Sequence, residues 1–367
     1  MTQQAKTVAV VGGGYGGAAV AKALDEHADV VLIEPKDAFV HAAGSLRALT
    51  QPEEWAERIF YPYDGFIKRG KQIREYASAV DAKGVTLASG ERVEADYIVL
   101  ATGSGYPYPA KTRADSTADA VAHFKETHAE LAGAERVLIA GAGPVGLELA
   151  GEIKAVWPEK QITIVDSSEQ LMPGYEEELR VELHSQLEKL GIEVRLGVTL
   201  DDEPEVEPGR AGAVTATAGG EVFEADIWFR AFGVSTNSGF LGDGLTTLNR
   251  RGQVPVTPKL NVEGHGHVYA IGDLTDVQEE KRASSAGQHA AVVAANIIAQ
   301  INGEAPEQEY QPTPFRVIVP LGPELGVGQM PSENGPVQLP LESVIEWKGR
   351  DLMVGYFDSA FKLAPAQ

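Results

Sequence analysis

Val8-Ala9-Val10-Val11-Gly12-Gly13-Gly14-Tyr15-Gly16-Gly17-Ala18-Ala19-Val20 is an apolar run that ends in glycines and passes into small residues. The run reads as a buried strand and the continuation as a helix. Gly12, Gly14 and Gly17 have the G-x-G-x-x-G spacing: the first permits a tight turn, the second lets a pyrophosphate approach the backbone, and the third lets helix and strand pack closely. The helix N-terminus then offers free N–H groups and a positive dipole end. A second strand, Val30-Val31-Leu32-Ile33, ends in Glu34. That places a carboxylate roughly 20 residues beyond the turn, where the hydroxyls of a ribose would meet it. A dinucleotide site is expected here; a ligand-free strand–helix joint would leave Glu34 to chance.

The 367 residues are long for one core, so two or three domains are expected. The 31 basic and 53 acidic residues give a net charge of −22, which repels nucleic acid and, more weakly, anionic lipid. With no cysteine, disulfides, thiolate metal sites and catalytic thiols are excluded. The first residues run into the strand without a secretory signal pattern, and Thr2 stands where myristoylation needs glycine. No apolar run reaches the ~20 residues of a membrane span. The expectation is a soluble, cytoplasmic protein without metal.

Beyond Glu34, Pro35 stops the strand, and Phe39–Arg47 reads as loop and short helix, rich in small residues that suit a large flat ligand. Gln72–Ala77 reads as a strand, and Val85–Leu87 with Arg92-Val93 as a hairpin. Tyr97–Leu100 is a buried strand leading into Ala101-Thr102-Gly103. Tyr106-Pro107-Tyr108-Pro109 reads as a linker. The opening pattern then repeats. Arg136–Ala140 is a strand, Gly141, Gly143 and Gly146 repeat the spacing, and Gln161–Asp166 is a second strand ending in acid. Two copies of one phosphate-binding pattern are far more specific than one. A helix over Glu176–Lys189 and a strand over Ile192–Leu196 follow. Ile227–Gly233 mirrors Ile98–Gly103. His267–Asp273 is a further buried strand ending in Gly272-Asp273, and an apolar helix covers Ala286–Ile301. From Tyr310 the composition changes. Phe315–Val319, Gly326–Met330, Val344–Trp347 and Asp351–Tyr356 read as antiparallel strands, with Lys348–Asp351 as a turn.

Two dinucleotide turns in one chain, with Ala101-Thr102-Gly103 and Tyr269-Ala270-Ile271-Gly272-Asp273, resemble the signatures of flavoproteins that carry two dinucleotide-binding domains. With Phe39–Arg47, Val145–Glu148, Trp157–Lys160, Leu260–His265 and Ala286–His289, the chain resembles the ferroptosis-suppressor branch of the apoptosis-inducing-factor-like oxidoreductases. It is more distantly similar to the type II NADH dehydrogenases. The resemblance runs from Val8 to about Lys362. It implies an α/β fold with two Rossmann-like, glutathione-reductase-like domains and a small α+β C-terminal module. The expected FAD domain is residues 1–108 and 257–308, the NAD(P)H domain 109–256 and the module 309–367. The implied activity is NAD(P)H:quinone oxidoreduction.

On that reading Gly12, Gly14 and Gly17 hold the FAD pyrophosphate and Glu34 the adenosine ribose, with Tyr15, Ala101, Thr102, Gly103 and Gly272 lining the cofactor. Asp273 accepts ribityl hydroxyls or caps the following segment. The helix start at Ala286, with Gln288 and His289, faces the flavin, or His289 is simply packed. Gly141, Gly143 and Gly146 hold the nicotinamide dinucleotide. Asp166 accepts from its ribose and repels a 2′-phosphate; no arginine follows in residues 167–170, which favours NADH. The resemblance puts Glu148 at the nicotinamide–flavin contact and Lys362 near the flavin, though Phe361 stands where the family has tryptophan. His41 lends a proton near the ring or makes a structural hydrogen bond. Rival readings are a reductase for ferredoxin-type proteins, which the acidic surface disfavours, and a non-enzymatic redox sensor. A quinone is the expected acceptor. Peripheral membrane contact through the C-terminal module and a homodimer stay open.

Overall fold

A computed structural model of the chain describes residues 5–242 and 244–361. The opening stretch folds as read. The strand Thr7–Val11 lies at the centre of a five-stranded parallel sheet. On one side come Asp29–Ile33 and Lys71–Ile73, on the other Tyr97–Leu100 and Val268–Ala270. The chain therefore leaves the central strand in one direction and returns on the other side. That reversal opens a crevice at the carboxyl ends of the strands, where this architecture binds ligands. Both faces of the strand are buried. Val8 and Val10 join the core with helix Tyr15–Leu24, and Ala9 and Val11 join the opposite core. This is why the run is continuously apolar instead of alternating. Helix Tyr15–Leu24 packs along helix Ala283–Ile301.

The second copy repeats the plan. Its sheet has the order Ile192–Leu196, Gln161–Asp166, Arg136–Ala140, Glu221–Arg230, Ala211–Ala218. All neighbours are parallel except the last pair, a hairpin. Helix Pro144–Val156 leaves its glycine turn, and helix Glu177–Lys189 precedes its edge strand. The hairpin expected around residues 85–93 is present, as the strands Gly84–Leu87 and Arg92–Glu94.

The C-terminal module departs from the sequence reading. Val317–Pro320, Gly326–Ser332 and Gly335–Gln338 form an antiparallel sheet. Val344–Trp347 and Asp351–Tyr356, expected as strands, are instead largely helical. They fall in a helix at Leu341–Val344, a π-helical segment at Ile345–Gly349 and a helix at Val354–Phe361. Buried Val354, Phe357 and Phe361 recur at helical spacing. Their β-branched and aromatic side chains read locally as strand, but burial of Phe357 and Phe361 against Phe39, Tyr15 and His41 decides the matter.

Candidate active site

The first glycine turn is shaped by backbone contacts. Gly12 has φ +98°, and a Cβ there would lie 2.6 Å from the Ala101 carbonyl oxygen. A Cβ on Gly17 would lie 1.8 Å from the Gly12 carbonyl oxygen, so helix and strand meet closer than any side chain allows. At Gly14 a Cβ would meet nothing within 4 Å: the backbone borders open space. The Gly13 N–H donates to Glu34 Oε2 at 2.6 Å, and the Lys36 N–H donates to Oε1 at 3.0 Å. Glu34 is only 9 % exposed. Burial pushes its carboxyl up, and the two N–H groups hold it back. Tyr63 closes this side, its hydroxyl donating to the Gly13 carbonyl at 2.8 Å.

The second turn repeats its backbone arrangement. Gly141 has φ +114°, and its Cβ would lie 2.6 Å from the Ala231 carbonyl oxygen. The Cβ of Gly146 would lie 1.9 Å from the Gly141 carbonyl oxygen, and Gly143 borders open space. Ala142 N–H donates to Asp166 Oδ2 at 2.6 Å, and Ser168 N–H to Oδ1 at 2.7 Å.

The other residues singled out in the sequence fall around these turns. Ala101 packs under Gly12 and Gly17. Thr102 and Asn237 exchange hydrogen bonds, Thr102 Oγ1 to the Asn237 carbonyl at 2.7 Å and Asn237 Nδ2 to the Thr102 carbonyl at 3.0 Å. This ties the end of the first sheet to the segment leaving the second. Gly103 has φ +61° and borders open space. Gly272 has φ +68°, and its N–H donates to His289 Nδ1 at 3.0 Å. That bond leaves the proton of the neutral ring on Nε2, which lies 3.0 Å from Glu279 Oε1. Asp273 Oδ2 accepts from Ser104 Oγ. Gln288 is exposed. The helix carrying Gln288 and His289 begins at Ala283, three residues earlier than expected, so its free N-terminal N–H groups lie before Ala286. His289 is 0 % exposed; burial lowers its pKa to about 4, with Glu279 pulling the other way.

Tyr15 and His41 form a second buried pair. Tyr15 hydroxyl and His41 Nδ1 lie 3.0 Å apart, and His41 Nε2 donates to the Leu352 carbonyl at 2.7 Å. His41 is 1 % exposed and packs at a tilt against Phe357. Burial pulls its pKa down to about 4. The ring is therefore neutral at pH 7, with both nitrogens hydrogen-bonded. Burial holds the Tyr15 phenol protonated, with the Glu148 carboxylate adding to it, so the first turn and the helix of the second turn converge here.

Glu148 lies on helix Pro144–Val156 and is largely buried. Its Oε1 takes Lys348 Nζ at 2.6 Å. Burial pushes the carboxyl up, and the Lys348 ammonium opposes that. One turn on, Glu152 receives Arg47 in a two-pronged pair, Nε at 2.8 Å and Nη2 at 2.7 Å. Arg47 also donates to the carbonyls of Gly349 at 2.8 Å and Arg350 at 2.9 Å, and stacks on Trp55. The two carboxylates thus bind the second unit to the first and to the C-terminal module. Sequence reading missed Lys348 and the Arg47–Glu152 pair. The available signal was a pair of carboxylates at i, i+4 in a largely apolar helix, which demands buried cations. Lys362 lies outside the described residues. Among the described residues no cluster of side chains fits a metal ion, and no helix is long and apolar enough to cross a membrane.

The family model described as "Pyridine nucleotide-disulphide oxidoreductase" matches residues 6–293. Apoptosis-inducing factor homolog B of Dictyostelium discoideum is 32 % identical over 354 residues, covering 90 % of this chain and 91 % of that protein. Ferroptosis suppressor protein 1 of Homo sapiens is 30 % identical, covering 88 % of each. Among solved structures, NDH2 from Plasmodium falciparum in complex with NADH superposes with a TM-score of 0.73 at 14 % identity, over 98 % of this chain and 95 % of that one. That likeness is one of fold. The chain belongs to the pyridine nucleotide-disulphide oxidoreductase family.

Proposed function

We propose that the chain binds FAD at the Gly12–Gly17 turn and NADH at the Gly141–Gly146 turn, and reduces a quinone-type acceptor. The FAD domain would be residues 1–108 and 257–308, the NADH domain 109–256. The observation that carries this reading is the duplicated cradle. In each turn two glycines are fixed by backbone contacts that exclude a Cβ, while the third borders open space with a carboxylate behind it. This is the shape a pyrophosphate and a ribose require. A bound flavin would supply the two-electron chemistry between the nicotinamide and the acceptor.

The protein's part is alignment and electrostatics. Asp166 accepts ribose hydroxyls and repels a 2′-phosphate, and the absence of arginine from residues 167–170 favours NADH. Glu148 keeps one oxygen on Lys348 and presents the other to the nicotinamide carboxamide. Burial raises the Glu148 carboxyl, and the Lys348 ammonium opposes that rise. Tyr15, His41 and Phe357 form a rigid, uncharged wall beside it. With no cysteine in the chain, electrons cannot leave through a dithiol. A ferredoxin-type partner, itself acidic, would meet a chain of net charge −22.

Glu148→Gln and Lys348→Met test this arrangement. Both are expected to keep their flavin and to lower the rate of NADH-driven flavin bleaching by about 10- to 100-fold, with Lys348→Arg partly restoring it. Unchanged bleaching rates in both variants would contradict the role.

A further inference from the structure

Lys111 lies in the connection between the two units, yet its ammonium turns back to the first. It donates to the Ser104 carbonyl at 2.5 Å and to Ser104 Oγ at 3.0 Å. Ser104 Oγ in turn donates to Asp273 Oδ2. The three side chains form a chain of hydrogen bonds from a lysine to a carboxylate. Ser104 is itself buried and its segment, Ser104–Gly105, pairs with Ser235–Thr236, so the hydroxyl has a fixed base. Among the described residues no donor reaches Asp273 Oδ1. The carboxylate is thus clamped by one oxygen and open at the other, directly after Gly272 at the end of the first sheet.

The polarity of the chain is forced. An ammonium only donates, so Ser104 Oγ accepts from Lys111 and must point its own proton at Asp273. Without the ammonium, the serine hydroxyl is free to rotate and to accept elsewhere, and the carboxylate loses its fixed orientation. Lys111 is also desolvated, which lowers its pKa, while the Asp273 charge restores part of it. A desolvated ammonium is retained only where a nearby anion compensates it.

We propose that Lys111 is a positioning residue of the first nucleotide site: through Ser104 it fixes the Asp273 carboxylate so that Oδ1 receives hydroxyls of the bound dinucleotide. The proposal rests on the FAD reading of that site. It concerns residues in the linker that the glycine pattern does not reach.

The test uses the full chain, stripped of flavin and titrated with FAD by flavin fluorescence quenching. Lys111→Met is expected to weaken FAD binding by about tenfold, the scale of one charge-assisted hydrogen bond. Lys111→Arg is expected to recover most of that loss. Ser104→Ala should weaken binding similarly, and the double variant Lys111→Met/Ser104→Ala should be no weaker than either single one, because both break the same chain. Thermal melting of the flavin-free forms reports any general loss of fold. FAD affinity in Lys111→Met equal to that of the parent, or additive losses in the double variant, would overturn the proposal. A parent protein that takes up no FAD would instead overturn the functional reading on which it stands.

Discussion

The two glycine turns have nearly the same backbone but different surroundings. In the first, the carboxylate of Glu34 is buried, and Tyr63 closes over Gly13 so tightly that a Cβ there would lie 2.2 Å from its hydroxyl. In the second, Asp166 is only partly buried, and Ala142, itself buried, takes the place of Gly13. The same turn is therefore built once as a closed socket and once as an open one. A closed socket slows dissociation, as a resident cofactor requires, and an open one suits a nucleotide that must leave after each turnover. The lesson is that phosphate recognition comes from the turn, but residence time comes from what covers it.

The comparison breaks most sharply at the third glycines. Gly17→Ala and Gly146→Ala each force a Cβ into a backbone carbonyl, at 1.8 and 1.9 Å. Each shift costs several kcal/mol locally, on the order of 3. Gly17→Ala is expected to purify colourless, or to lose its flavin on gel filtration. Gly146→Ala should stay yellow and lose at least about 100-fold in NADH-driven bleaching. If both variants lost the same ligand, the assignment of one nucleotide to each turn would fail.

The carboxylates come next. Asp166→Ala should raise the KM for NADH by about tenfold and narrow the preference over NADPH. Steady-state kinetics with both nucleotides check this; a parent enzyme that turns them over equally well contradicts the role given to Asp166. Tyr63→Phe removes the roof bond to Gly13 and should speed FAD release a few-fold while leaving the NADH KM unchanged. Stopped-flow exchange against a flavin analogue reads the first effect.

The smallest expected effect is on acid stability. His41 and His289 are neutral in the fold, with pKa values near 4 against an ordinary 6.5, because burial disfavours the charged ring. The unfolded chain binds these protons at higher pH than the folded one. The stability is thus present above pH 6.5 and is lost as pH falls from 6.5 toward 4. Around His289 the facing charges are Glu279, Lys281 and Asp273; around His41 they are Lys348, Asp351 and Asp358. Urea midpoints should decline through that window by an amount equivalent to about 1–3 kcal/mol. His41→Gln should flatten the decline, and a profile with the parent slope would contradict a neutral, buried His41.

Much of this was legible in the sequence because it is local. The turn glycines, the acids closing each second strand and the continuous apolar strands are written within stretches of a few tens of residues. The contacts that assemble the site are not. Lys348 meets Glu148 across 200 residues and Arg47 meets Glu152 across 105, and nothing in either neighbourhood names its partner. The C-terminal helices were hidden for another reason. Val354, Phe357 and Phe361 are strand-favouring types at helical spacing, and the aromatic cluster that selects the helix is supplied by Tyr15, Phe39 and His41 from the other end of the chain.

The central claim is that the two turns bring a nicotinamide and a flavin together. An absorbance spectrum of the purified protein under anaerobic conditions, followed by titration with NADH and then a short-chain quinone, tests it in one cuvette. The account predicts a flavin band that NADH bleaches stoichiometrically and the quinone restores. A protein that stays colourless after incubation with FAD, or a yellow one that neither NADH nor NADPH bleaches, contradicts it.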